Sequence, residues 1–464
     1  MTTQQHTAVP ASRAPRSLAR SSRLTCLAAA LAGLVAGAPV WAIDLRQAYE
    51  AALANDATIR ASRATANASR EQLPQAQSQR LPNVSFSAGR NKNDLTSETQ
   101  SILGQPVTTD NKYYSGSQVL TIRQALYRPF VSAAVKQAEA VVKDADATLE
   151  RDEQSLVARV GEAYFEALLA EEQLALVSAQ KKTYTTQLDA AKKGFAAGSG
   201  TRTDIDEAQA RLDLTYAQEL EFRQNVEYTR RQLETITGQP LGTLARLDLA
   251  RFAPASPAPN VLEDWIARAE QASPEIKSLQ ARLDAANYEI EKAKSGHKPT
   301  LDAIAQWSRT SSDSVTSVNS RYDNKTIGLQ LTVPLYQGGY VSSTIRQAVA
   351  ASERARELLE AQRLDLSVRV HREFRGMTEG VLRISALEQA VRSAEQAVLS
   401  NQMSFKAGAR TTLDVLNAEQ QKTTALRDLA QARYLYAISR LRLQSLAGDE
   451  RAASVSEINA WLAL

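Results

Sequence analysis

The chain has 464 residues, 43% hydrophobic and 23% charged, with 55 Lys and Arg, 51 Asp and Glu, and one cysteine. Residues 1–42 hold four of the basic residues (Arg13, Arg16, Arg20 and Arg23) and no acidic one, leaving 51 of each sign in the rest. That balance removes the electrostatic case for a nucleic-acid partner, and a lone Cys26 excludes a disulfide framework.

The four arginines precede an apolar run from Leu24 to Val35, and "PVWA" sets Val40 and Ala42 at small-residue cleavage positions. This is the pattern of a secretory signal peptide over 1–42, with cleavage expected after Ala42 and Cys26 leaving with it. The run is too short to cross a membrane comfortably, and no other stretch approaches 18 consecutive apolar residues. Helical membrane spans are therefore not expected.

A helical stretch is expected over about 44–80. Two strands follow, one starting at Val84 and Phe86 and one containing Leu120, Ile122 and Leu126, joined by a polar loop at about 91–112. From Pro129 to Pro240 there is no proline. Steps of four and three from Leu149 meet Leu156, Val160, Ala163, Ala167, Ala170, Leu174, Val177, Tyr184 and Leu188, broken at Glu153 and Lys181. A 3.5-residue repeat of this length predicts a coiled-coil helix of roughly 60 residues, about 90 Å long. "GFAAGSGT" breaks it at Gly198 and Gly200, and Thr201 and Asp204 suit the start of a second helix running to Gly238.

The order then repeats. After a Pro-rich crossover at 241–260, a helical stretch is expected at about 261–296, with "NDATI" (55–59) matching "SPEIK" (273–277). Leu301, Ala303, Ala305 and Trp307 alternate with polar residues. So do Ile327, Leu329, Leu331 and Val333, after a polar loop at about 310–325. The seam returns as Leu359, Leu366, Val370, Met377, Ile384, Leu387, Val391 and Val398. "FKAGARTTLDVLNAEQ" (405–420) then repeats "FAAGSGTRTDIDEAQA" (195–210). Phe195, Gly198, Thr201, Asp204 and Ala208 fall on Phe405, Gly408, Thr411, Asp414 and Ala418 at a constant offset of 210 residues. The expected organisation is a first repeat over 43–240, a crossover at 241–260, a second repeat over 261–450 and a tail at 451–464.

Alternating exported strands flanked by Tyr113, Tyr114, Trp307 and Tyr322 point to an outer-membrane barrel, but four strands cannot close one. Open edges cannot face lipid, so the barrel must be shared between chains: two give eight strands, three give twelve. The helices are too polar for lipid and must project from it. The expected fold is mainly α with a small β part. The Gly breaks lie at the helix turns farthest from the barrel.

"VPLYQGGYVSSTIRQA" (333–348) followed by "FKAGARTTLDVLNAEQ" resembles the TolC family of outer-membrane efflux and type I secretion channels, over essentially the whole chain after residue 42. The resemblance implies a homotrimer with a twelve-stranded barrel in outer-membrane lipid and a hollow helical cylinder in the periplasm. It implies a periplasmic adaptor and an inner-membrane ABC or proton-driven exporter as partners. It also implies a periplasmic gate at the Gly breaks. There Asp414 matches one constriction aspartate and Asn417 stands where a second is expected. Arg410 and Asp204, with Thr203, match a latch, and Phe405 replaces a tyrosine. Pro334, Gly338 and Gly339 form the strand-to-helix corner, whereas "QALYRPF" at the first corner lacks their pattern.

Catalytic patterns are absent. His297 and His371 occupy unrelated repeat positions, and there is no GxGxxG, GxxxxGK[ST] or GxSxG. No enzyme, metal or cofactor is expected. A passive export conduit is favoured over the alternative, an adhesive or structural coiled-coil protein on a small barrel, because strands occur in both halves.

Overall fold

The computed structural model describes residues 42–313 and 320–463; all of the expected signal peptide (1–42) except Ala42 lies outside the described residues. The first repeat begins with three short helices, α1 (Leu45–Asn55), α2 (Ala57–Arg70) and α3 (Gln72–Ser78), where one stretch was expected. The break is local chemistry. Asp56 turns extended after α1 and accepts from the Ile59 amide to cap α2. In the second repeat Ser273 does the same between α6 (Leu262–Ala272) and α7 (Pro274–Lys294), accepting from Ile276. The structural equivalence is thus Asp56 with Ser273, one residue out of step with the match of 55–59 to 273–277.

Four strands, β1 (Asn83–Gln100), β2 (Pro106–Tyr127), β4 (Thr300–Ser312) and β5 (Ser320–Thr332), form one antiparallel sheet in the order β1-β2-β4-β5. They are 18, 22, 13 and 13 residues long. The segments read as polar loops are largely strand, and the β1–β2 turn shrinks to 101–105, whereas 314–319 lie outside the described residues. Polar cross-strand pairs carry this extension: Lys112 bonds Asp94 at 3.3 Å and Thr96 donates to Asp110 at 2.6 Å. A ribbon wet on both faces needs no apolar alternation, so its period is silent in the sequence.

The register sorts the sheet into two faces. Val84, Phe86, Leu120, Ile122, Ala305, Trp307, Ile327 and Leu329 share one; Ser85, Ser87, Thr121, Gln306, Thr326 and Gln330 share the other. Apolar-out and polar-in is the pattern of a lipid-facing barrel around water.

From the sheet run two long helices, α4 (Pro129–Ala196, 68 residues) and α8 (Tyr340–Lys406, 67 residues), about 100 Å each. Each folds back through a tight turn, onto α5 (Arg202–Thr237) and α9 (Thr412–Leu446) respectively. The expected seam is buried at Leu156, Val160, Ala163, Ala167, Ala170, Val177, Tyr184 and Leu188, and at Leu359, Leu366, Val370, Met377, Ile384, Val391 and Val398. Both interruptions are paired. Glu153 meets Arg63 at 3.3 Å and Arg451 at 2.9 Å; Lys181 meets Glu219 at 2.5 Å. In the body the helices lie in the row α5–α4–α9–α8, with α7 against α4 and α8.

The two strand-to-helix corners differ. At the second, Pro334 leads into Gly338 and Gly339, whose φ of 59° and 82° favour glycine. The first has Pro129 at the first helical turn and an ion pair instead. Arg128 Nε and Nη2 reach the buried Asp302 carboxylate at 2.8 and 2.5 Å.

The crossover and tail build a belt around the middle of the helices. β3 (Arg246–Leu247) pairs with β6 (Leu462–Ala463), α10 (Arg451–Asn459) precedes β6, and Ile43 bridges Leu244 in parallel. Phe252 packs edge-on to Trp461 and Tyr436, with centroids 5.4 and 6.0 Å apart. The Tyr164 hydroxyl lies 3.0 and 2.9 Å from the carbonyls of Ile43 and Ala245, and burial pushes its pKa far up. Among the described residues no helix is long and apolar enough to cross a membrane.

Candidate gate at the hairpin tips

Both turns farthest from the sheet are built alike. Gly198 and Gly408 take φ of 76° and 77°, closing α4 and α8 in the left-handed conformation. Thr201 and Thr411 then cap the returning helices with reciprocal capping boxes to Asp204 and Asp414. In α9 the Thr411 amide and hydroxyl each donate to Asp414 Oδ2 at 2.9 Å; in α5 the Thr201 amide and hydroxyl donate to Asp204 Oδ2 at 2.9 and 2.6 Å. These bonds hold both carboxyls below the usual carboxylate range, and the Thr412 hydroxyl lowers Asp204 further. Negative charge at a helix N-terminus is also favoured by the helix dipole.

The expected latch is not made within the chain. Arg410 turns to its own helix, placing Nη1 3.5 Å from Asp414 Oδ1, while Asp204 is engaged by Thr201 and Thr412. The reason is proximity: Arg410 stands just before the cap residue Thr411, four residues from Asp414, and Oδ1 is the oxygen that the cap leaves free. Thr203 and Phe405 are exposed at the tips, Phe405 by 40%.

The bonds and contacts that join the two hairpins lie outside the expected latch. Arg211 Nη2 donates to Asn417 Oδ1 at 2.8 Å, so the residue standing at the second acidic position is the acceptor of a cross-hairpin bond. Gln180 Nε2 and the Tyr184 hydroxyl reach Gln420 Oε1 at 2.8 and 3.1 Å. Beneath them Leu416 of α9 is fully buried against Tyr184, Leu188, Ala208 and Leu212 of the first hairpin. Arg211 maps by the 210 offset onto Gln421, so duplication carried no signal for it. Of these residues, Tyr184 and Leu188 belong to the expected seam, Ala208 to the repeat and Asn417 to the expected gate.

A duplicated chain with a lipid-patterned sheet and paired 100 Å hairpins leaves few families. It matches the family described as outer membrane efflux protein over residues 48–239 and 265–449. The chain belongs to the outer membrane efflux protein family. It is similar to the proteases secretion protein PrtF of Dickeya chrysanthemi, 32% identical over 432 residues, covering 92% of this chain and 93% of that one. It is likewise similar to the outer membrane protein TolC of Vibrio cholerae, 32% identical over 430 residues and covering 91% and 94%. The crystal structure of the outer membrane protein VceC from Vibrio cholerae superposes with a TM-score of 0.72 at 19% identity, covering 87% of this chain and 96% of that one, which bears on the fold. As an outer membrane efflux protein of the TolC type, the chain is an outer-membrane channel whose helices form a periplasmic tunnel. The family is one of transport channels rather than enzymes.

Proposed function

We propose that this channel works as a homotrimer. It serves as the exit duct for a periplasmic adaptor and an inner-membrane exporter, with its gate at the Gly198 and Gly408 turns. The observation that carries the reading is the pair of open edges. β1 and β5 each leave one side unpaired, which lipid does not tolerate. The outer helices of the row, α5 and α8, expose Leu214, Leu220 and Tyr228 and Leu382 and Met403, each by 60% or more. Neighbouring copies would cover both. Two copies would give eight strands, whose interior side chains fill, and three give twelve, wide enough for water. The polar inner face of the sheet suits the second.

The energy for export lies elsewhere, in the exporter, and the channel supplies a path. PrtF is named for protease secretion, and a protein passenger of a type I system is the cargo class that this likeness supports. Chemical cross-linking of detergent-extracted protein is expected to stop at three subunits. A folded, conducting monomer would refute the reading.

A further inference from the structure

The geometry points to a collar on the outer rim of the barrel that binds the phosphate groups of an anionic glycolipid in the membrane's outer leaflet. The inference rests on the barrel reading above. On the apolar face of the sheet the hydrophobic band ends at the level of Phe86, Leu120 and Trp307. At that level and the next three on the same face stand Lys325, Arg309, Arg321, Arg90 and Lys92. All five are exposed. None is ion-paired among the described residues, whereas Lys112, one step beyond, is paired with Asp94.

Two carboxylates share the neighbourhood. Asp323 accepts a bond from Trp307 Nε1 at 3.0 Å, and Asp313 follows the end of β4. The balance stays strongly positive. The opposite face at these levels carries Ser87, Gly89, Asn91, Thr310 and Ser312, with no charge at all. The cations therefore belong to the lipid side and not to the pore. Arg90 lies over the Tyr114 ring at 5.2 Å, and Trp307 stands in the same belt, so aromatic rings sit at headgroup depth beside the cations.

β1, carrying Arg90 and Lys92, and β5, carrying Arg321 and Lys325, are the two open edges. Closing the barrel brings them together across each subunit boundary, so every boundary gains a cluster that one chain does not possess. Arg guanidinium matches phosphate with paired hydrogen bonds, which makes phosphate the favoured anion.

The test uses trimer extracted in mild detergent, titrated with the phosphorylated glucosamine glycolipid of Gram-negative outer leaflets and followed by native mass spectrometry. Bound lipid is expected to fall about fivefold per cation removed across R90Q, K92Q, R309Q and R321Q. A charge-preserving set, R90K, R309K and R321K, should bind less than wild type, having lost the paired bonds, but well above the quadruple variant, having kept the charge. The enzymatically dephosphorylated lipid should bind wild type no better than the quadruple variant. Equal binding of the dephosphorylated lipid, or retention unchanged in the quadruple variant, overturns the collar. Displacement of the lipid by millimolar inorganic phosphate would show a free-anion site and overturn it as well. Planar-bilayer conductance of the same samples separates the two readings. A protein that forms no channel refutes the barrel, while a conducting channel indifferent to lipid phosphate refutes the collar alone.

Discussion

Replacing Leu416 by alanine tests whether the two hairpins of one chain separate when the gate opens. Leu416 is fully buried, and it is the only member of its cluster contributed by α9; Tyr184, Leu188, Ala208 and Leu212 come from α4 and α5. Removing a buried leucine side chain costs about 2–5 kcal/mol, part of it the cavity left behind. Here the lower end applies, because the cluster is small and the surrounding tips are exposed enough to relax. About 2 kcal/mol is a factor of roughly thirty per chain. If opening parts α9 from α4 and α5, this contact exists only in the closed state, and its loss shifts the population toward open by that factor. Three chains opening together multiply the shift. Single-channel recordings in planar bilayers should show long-lived states of higher conductance, with trimers of normal mobility on native gels. Intact trimers conducting like wild type would show that the two hairpins of a chain move as one body, and the reasoning would fail.

Asp414→Ala is expected to weaken cation selectivity and block by multivalent cations, whereas Arg410→Ala, by removing the cation 3.5 Å from that carboxylate, should sharpen selectivity; reversal potentials in asymmetric salt read both. Both capping carboxyls have depressed pKa values, so their stabilisation is complete above the ordinary carboxylate range near pH 4 and is lost as pH falls through their folded values; amide exchange at the starts of α5 and α9 should rise only below about pH 4. Arg128→Met strands the buried Asp302 carboxylate, a loss of about 3–5 kcal/mol for a fully buried pair and nearer 1–2 here because Arg128 is 37% exposed. Thermal unfolding should register it, and adding Asp302→Leu should recover most of the loss.

Much of the architecture was determined by the chain alone, because it is periodic. A 3.5-residue seam, the proline-free runs, the glycine breaks and the 210-residue offset each repeat a local rule many times, so single exceptions such as Glu153 and Lys181 did not obscure it. The Thr201–Asp204 and Thr411–Asp414 caps span three residues and are complete in the sequence. The polar ribbon of β1 and β2 is not legible in the sequence, because pairing between two wet strands leaves no hydrophobic alternation. The cross-hairpin bonds were equally silent. Arg211 and Asn417 lie 206 residues apart, and Gln180 and Gln420 lie 240 apart. The Arg128–Asp302 clamp spans 174 residues, and the belt joins Ile43, Leu244 and Leu462 from three separate parts of the chain. Each of these is a single contact between residues with no periodic neighbours. Only the packing of one hairpin against the other decides which residues hold the tips together.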